Sequence, residues 1–116
     1  MHDCLFCRIV RGEIPAAKVF EDDLVLAFKD IQPQRPVHVL VIPKKHINSL
    51  LTLADNGLLL EIFAIIKQVA AQVVAEHGAC RVITNIGNYQ DSKHLHWHVI
   101  FGSPLRSTDL TNREEK

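Results

Sequence analysis

The segment KHLHWHVIFG, residues 93–102, places histidine at three alternate positions, His94, His96 and His98. On an extended chain alternate side chains share a face, so the three imidazoles would line one side. Leu95, Trp97 and Val99 would then turn to the other side and anchor the segment in a core. Same-face neighbours on a strand stand roughly 6.5 to 7 Å apart, close enough for two rings to touch one small ligand. The ordinary imidazole pKa, about 6.5, lets a neutral ring attack and a charged ring donate at the same pH. A neutral ring is a competent nucleophile toward phosphorus, and the bond it forms there is labile enough for water to cleave. H-x-H pairs on strands also bind zinc, so the row alone leaves metal ligation and nucleophilic catalysis both open.

Further groups could join that chemistry. His38 sits inside the apolar segment PVHVLVIP, where a lone histidine is either packed with its nitrogens satisfied or a fourth ring in a proton network. Asp30 closes the segment AFKD, where a carboxylate could accept both hydroxyls of a ribose or simply be solvated. Cys4 and Cys7 form a C-x-x-C pair, and Cys80 stands alone in ACRVI, as a buried small apolar residue would. Three cysteines do not make a disulfide framework. The pair lacks the strand that precedes a thioredoxin-like redox motif, and a metal site would need two more ligands from afar. Lys44 and Lys45, after Pro43, could draw a phosphate or mark a solvated turn.

The elements that must hold these groups can be read from pattern. DCLFCRIVRG predicts a short N-terminal helix stopped by Gly12. KVFE and LVLAFKD predict a hairpin turning at Asp22-Asp23. IQPQRP is a loop because two prolines fix φ and remove donors, and VHVLVIP is a strand ending at Pro43. Residues 55–77 predict one long helix with Leu59, Ile62, Phe63, Ile66, Val69, Ala70 and Val73 inward, Asp55 or Asn56 as cap and Gly78 as stop. Leu58, Leu60 and Ile65 widen its stripe enough to cover a sheet and also meet a second subunit. CRVITNIG and HLHWHVIFG predict two more strands. The order gives an α+β fold, a mostly antiparallel five-stranded sheet with one long and one short helix.

The 116 residues suit one domain, residues 1–116, with 104–116 a polar tail. Thirteen basic and thirteen acidic side chains cancel, which offers no electrostatic footprint for nucleic acid or an anionic membrane. The apolar residues near the N-terminus are interrupted by charge, and the long helix is broken by Glu61, Lys67, Gln68 and Gln72. Neither a secretory segment nor a membrane span is expected, and the cytoplasm is the expected location.

Together these pieces resemble the histidine triad family. Its signature, H-φ-H-φ-H-φ-φ with φ apolar, stands here as His94-Leu95-His96-Trp97-His98-Val99-Ile100. The likeness extends through CLFCRIVRGEIPAAKVFEDD, LAFKDIQPQRPVHVLVIPKKHI and TNIG, roughly residues 3–103. His98 stands where the transferase branch carries glutamine, so the chain looks like the small nucleoside phosphoramidase branch. That resemblance implies a hydrolase acting at the α-phosphorus of a purine nucleotide conjugate, with His96 as nucleophile, His98 beside the phosphate and leaving group, and His38 within the histidine network. It implies Asp30 on the ribose, Phe6, Ile9, Phe28, Ile31 and Leu40 around the base, and Asn85 on the phosphate side. It also implies a homodimer whose sheets join, and a structural zinc held by Cys4, Cys7, His46 and His94.

One stretch departs from the family pattern. Many members carry Gly-Gln-Ser or Gly-Gln-Thr before the triad, whereas here YQDSKH keeps Gln90, puts Asp91 at the hydroxyl position and shifts Ser92 by one. Ser92 could still reach a leaving group, while Asp91 would repel a phosphate. Two rival readings stand beside the hydrolase: a metal-dependent hydrolase with all three triad histidines as ligands, and a nucleotide-binding interaction module with vestigial activity.

Overall fold

In the computed structural model, which describes residues 4–105, a short helix α1 (Leu5–Val10) precedes strands β1 (Lys18–Glu21), β2 (Val25–Lys29) and β3 (Val37–Pro43). The long helix α2 (Asn56–His77) follows, then β4 (Arg81–Thr84) and β5 (Trp97–Phe101). The strands form one sheet in the order β1-β2-β3-β5-β4, with every pairing antiparallel. This is the expected α+β architecture of five strands, one long helix and one short one. The tail beyond residue 105 lies outside the described residues.

The β1–β2 turn forms because Asp22 folds back on the chain. Its Oδ1 accepts the amides of Leu24 and Val25, each at 2.8 Å. The central strands are buried on both faces, which is why they read as continuous apolar runs. Val25, Ala27, Val39 and Val41 face α2, with Leu95, Trp97 and Val99. Leu26, Phe28, Leu40 and Ile42 face α1, meeting Phe6 and Ile9.

Helix α2 starts at Asp55, whose side chain accepts the Leu58 amide at 3.0 Å, and ends at Gly78, whose φ of 92° favours a residue without Cβ. Its buried stripe is Leu58, Ile62, Ile65, Ile66, Val69 and Val73. That stripe is rotated from the expected one. Phe63 is 42% exposed at the rim, where its ring meets Trp97 edge-on at 5.6 Å, and Leu60 is 70% exposed. The helix is apolar nearly all round, so the sheet sets its phase. By length and hydropathy alone α2 could cross a membrane, but here it covers the sheet.

Two smaller expectations change. Cys80 is only half-buried, packed at the edge of the α2 cluster. Lys44 pairs with Glu21 at 2.8 Å instead of standing free for a phosphate.

Candidate active site

Strand β5 begins at Trp97, so of the three alternating histidines only His98 lies in the ladder. The chain before it leaves the sheet because the Leu95 amide donates to the Ile47 carbonyl at 2.6 Å. The alternation nonetheless persists. Leu95, Trp97 and Val99 enter the α2 core, while His94 and His96 both meet the edge of Phe6, at 5.8 and 5.1 Å between ring centres. The rings of His96 and His98 lie 4.9 Å apart.

Hydrogen bonds to backbone fix the tautomers along this face. A carbonyl only accepts, so the 2.7 Å contact from His96 Nδ1 to the His94 carbonyl places the proton on Nδ1. Nε2 of the neutral ring then carries a lone pair, and no described residue hydrogen-bonds it. The Gln34 amide donates to His38 Nδ1 at 2.9 Å, which puts the His38 proton on Nε2. That Nε2–H donates to His98 Nδ1 at 2.9 Å, with Asp30 Oδ2 3.4 Å away. His98 is left with Nε2–H as its outward donor. The result is a bare nitrogen on His96 beside an N–H on His98.

Burial pushes the His98 pKa down to about 4, with the His96 and His38 rings adding to the effect and Asp30 and Asp91 opposing it. His38 is lowered too, chiefly by burial and against the pull of Asp30. His38 and His98 therefore both stay neutral through the physiological range. Between about pH 6.5, where unfolded histidine takes up its proton, and about pH 4, the unfolded chain binds more protons than the fold. Stability accordingly falls as pH drops through that window. Urea unfolding at pH 7 and pH 5 should show this loss in the parent protein and a smaller loss in His98→Gln; equal losses would contradict the assignment.

A cavity of about 460 Å³ opens over the two rings, bordered by Phe6, Leu40, Asp30, Asp91, Ser92, His96 and His98 among others. An adjoining cavity of about 260 Å³ shares Asp30, Gln34, Asp91 and His98 and adds Arg35, His38, Ile83, Asn85 and Ile100. A larger one, about 800 Å³, lies at the start of α2 and contains none of His94, His96 and His98.

The expected ligand residues distribute unevenly around this space. Phe6 and Leu40 border it, whereas Ile9 and Phe28 are fully buried behind them as support. Ile31 is exposed and absent from the lining of both cavities. Asp30 holds the Gln32 amide through Oδ1 at 3.0 Å while bordering both cavities. Asn85 borders the smaller cavity and Ser92 the larger. Gln90 is committed to the loop: its Nε2 donates to the carbonyls of Asn48 and Ser92, and its Oε1 accepts the Gly87 amide. Thr84 is a positioning group that the sequence left unmarked, since its hydroxyl donates to the His96 carbonyl at 2.7 Å.

Cys4, Cys7, His46 and His94 converge behind the cavity, with their four ligand atoms within 4.8 Å of one another. The sulfurs lie 3.6 and 3.2 Å from His46 Nδ1 and 3.4 and 3.5 Å from His94 Nδ1. A tetrahedral ion with Zn–S of about 2.3 Å and Zn–N of about 2.0 Å sets S···N separations of about 3.5 Å. The far nitrogens are spoken for. His94 Nε2–H donates to the Pro43 carbonyl at 2.8 Å and His46 Nε2–H to Asn48 Oδ1 at 3.1 Å, which leaves both Nδ1 lone pairs turned to the thiols. The donor set fits a small tetrahedral cation. The three triad histidines do not share an ion, because both ring nitrogens of His94 are engaged away from the other two, Nδ1 at the thiols and Nε2 at the Pro43 carbonyl.

The sequence of this chain matches the profile of the HIT domain family over residues 11–105. An uncharacterized HIT-like protein from Synechocystis is 47% identical over 106 residues, covering 89% of this chain and 93% of that protein. The crystal structure of a HIT family hydrolase from Legionella pneumophila aligns at TM-score 0.78 and 39% identity, over 91% of this chain and 98% of the other. That of a hypothetical histidine triad nucleotide-binding protein from Sulfolobus tokodaii aligns at 0.80 and 33%, over 97% of this chain and 77% of the other.

Proposed function

This chain belongs to the HIT domain family, and from that premise we propose that it hydrolyses nucleotide conjugates at the α-phosphorus, with nucleoside phosphoramidates as the favoured substrates. The observation that carries the reading is the 2.7 Å hydrogen bond from His96 Nδ1 to its neighbour's carbonyl, which holds the opposite nitrogen bare. The printed names of the Legionella and Sulfolobus relatives, a hydrolase and a nucleotide-binding protein, support the same class.

In the first step the His96 Nε2 lone pair forms an N–P bond as the bond from phosphorus to the amine breaks. The electron pair leaves with the amine nitrogen, which takes a proton passed across His98 Nε2. In the second step water attacks phosphorus, the N–P bond breaks with its electron pair returning to His96 Nε2, and the proton that water gives up replaces the one that left on the amine through His98 Nε2. The products are a nucleoside monophosphate and a free amine. The His98 N–H and the Asn85 side chain stabilise charge on the phosphoryl oxygens. Phe6 and Leu40 take the purine, backed by Ile9 and Phe28, and Asp30 accepts the ribose hydroxyls. Ser92 sits on the leaving-group side.

Cys4, Cys7, His46 and His94 would hold zinc as a structural ion with four protein ligands and no open position for substrate. A homodimer in the cytoplasm completes the reading. The outer edge of β4 is unpaired among the described residues, and Val82, Ile83 and Phe63 are exposed along β4 and the neighbouring rim of α2.

Turnover of an adenosine phosphoramidate to adenosine monophosphate, insensitive to brief chelator treatment, tests the function; tight binding without turnover would favour the interaction module. Asp30→Ala should raise KM by about tenfold with a smaller loss in kcat, because the ribose contact is made before and during reaction alike. Steady-state kinetics would contradict the ribose assignment if kcat fell and KM held.

A further inference from the structure

We propose that Asp91 selects the leaving group by charge, favouring conjugates whose departing amine carries a second, cationic group and disfavouring anionic ones. This rests on the hydrolase reading above. Asp91 borders both cavities that meet at His98, next to Ser92 on the side where the hydrolase reading puts the leaving group. Its carboxylate is unpaired. Among the described residues Asp91 makes no hydrogen bond or ion pair, although its field reaches His98.

The cations near it are turned elsewhere. Lys93 Nζ donates to the Gly87 carbonyl at 2.7 Å, and Arg35 Nη1 to the Gly102 carbonyl at 3.4 Å. The other carboxylate of the site, Asp30, is engaged with the Gln32 amide and lies beside His38. Among the described residues the exit side of the site therefore presents a carboxylate with no ion-pair partner, beside the second carboxylate, Asp30. An amine bearing an ammonium gains there, and a departing phosphate or carboxylate-bearing amine is repelled. The attraction grows as the P–N bond lengthens and the amine moves toward Asp91, so it acts on kcat/KM and not on ground-state binding alone. Position 91 thus acts on specificity, and the nucleophile at His96 is common to all substrates.

The test uses three adenosine phosphoramidates of matched length, whose amines end in an ammonium, a methyl or a carboxylate group. No divalent metal is added, so that none bridges substrate and carboxylate. The parent protein should prefer ammonium over carboxylate by about tenfold in kcat/KM, with methyl between, and added salt should narrow the span. Asp91→Asn and Asp91→Ser, both checked for folding by thermal melting, should each narrow it to within about threefold. A flat series in the parent, or an unchanged span in both variants, overturns the role of Asp91 while the methyl substrate still turns over. Failure of the parent to turn over even the methyl substrate overturns the hydrolase reading, and this inference with it.

Discussion

Replacing His96 by alanine lowers turnover of an adenosine phosphoramidate by on the order of 10⁴-fold while the protein remains folded. The size follows from what is lost. Without the ring there is no atom to form the first bond to phosphorus, and the remaining donors can only assist water. Folding survives because the ring, buried against Phe6 and His98 on the cavity wall, lies outside the α2 core and gives up one hydrogen bond, to the His94 carbonyl, worth about 1 kcal/mol. His98→Ala should fall less, since solvent can reach the vacated position and carry the proton. Single-turnover kinetics alongside circular dichroism would decide the matter. A folded His96→Ala protein with parental activity would remove His96 from the chemistry.

The second large effect is on stability. With zinc held in the four-residue cage as proposed, stripping it, or changing Cys7→Ser, should lower the melting temperature by about 15 °C. The figure corresponds to an ion held at a thousandfold above its dissociation constant, about 4 kcal/mol. Helix α1 has six residues, too few to stand alone, and packs on the sheet through Phe6 and Ile9. The cage fastens its first turn to His46 and to His94. Burial and the neighbouring Cys4 sulfur push the Cys7 thiol up to about 11, so without a cation its proton stays on and cross-linking is absent. Activity should fall with stability, because one residue serves both sites: the His94 ring faces the thiols while its carbonyl orients His96. Calorimetry with and without added zinc after chelation would check this. Unchanged melting in the stripped protein and in Cys7→Ser would show that the cage bears no load.

The residues differ in how openly they declared these roles. The shared face of His94, His96 and His98 was legible because Leu95, Trp97 and Val99 alternate with them and need a core. That the strand starts only at Trp97 was not, because the Leu95 amide is taken by Ile47, a partner 48 positions away whose approach no local pattern records. The tautomers were equally hidden. They depend on the carbonyl of His94 and the amide of Gln34, backbone groups that every residue type but proline carries. Gln90 matched a binding motif by position, yet its amide closes the loop. The phase of α2 was obscured by its own composition, which offers apolar side chains in nearly every direction. The four cage residues, spread from Cys4 to His94, came from family resemblance and not from spacing, and the fold draws their ligand atoms together.

The central claim is that a nitrogen of His96 becomes covalently joined to the nucleotide. Mixing the protein with an adenosine phosphoramidate, quenching within the first turnover and mapping the peptides by mass tests it most directly. The account predicts an adenylyl increment on the peptide bearing His96, forming before product and absent from His96→Ala. Turnover with that peptide unmodified at every time point, or an increment on another residue, would contradict it.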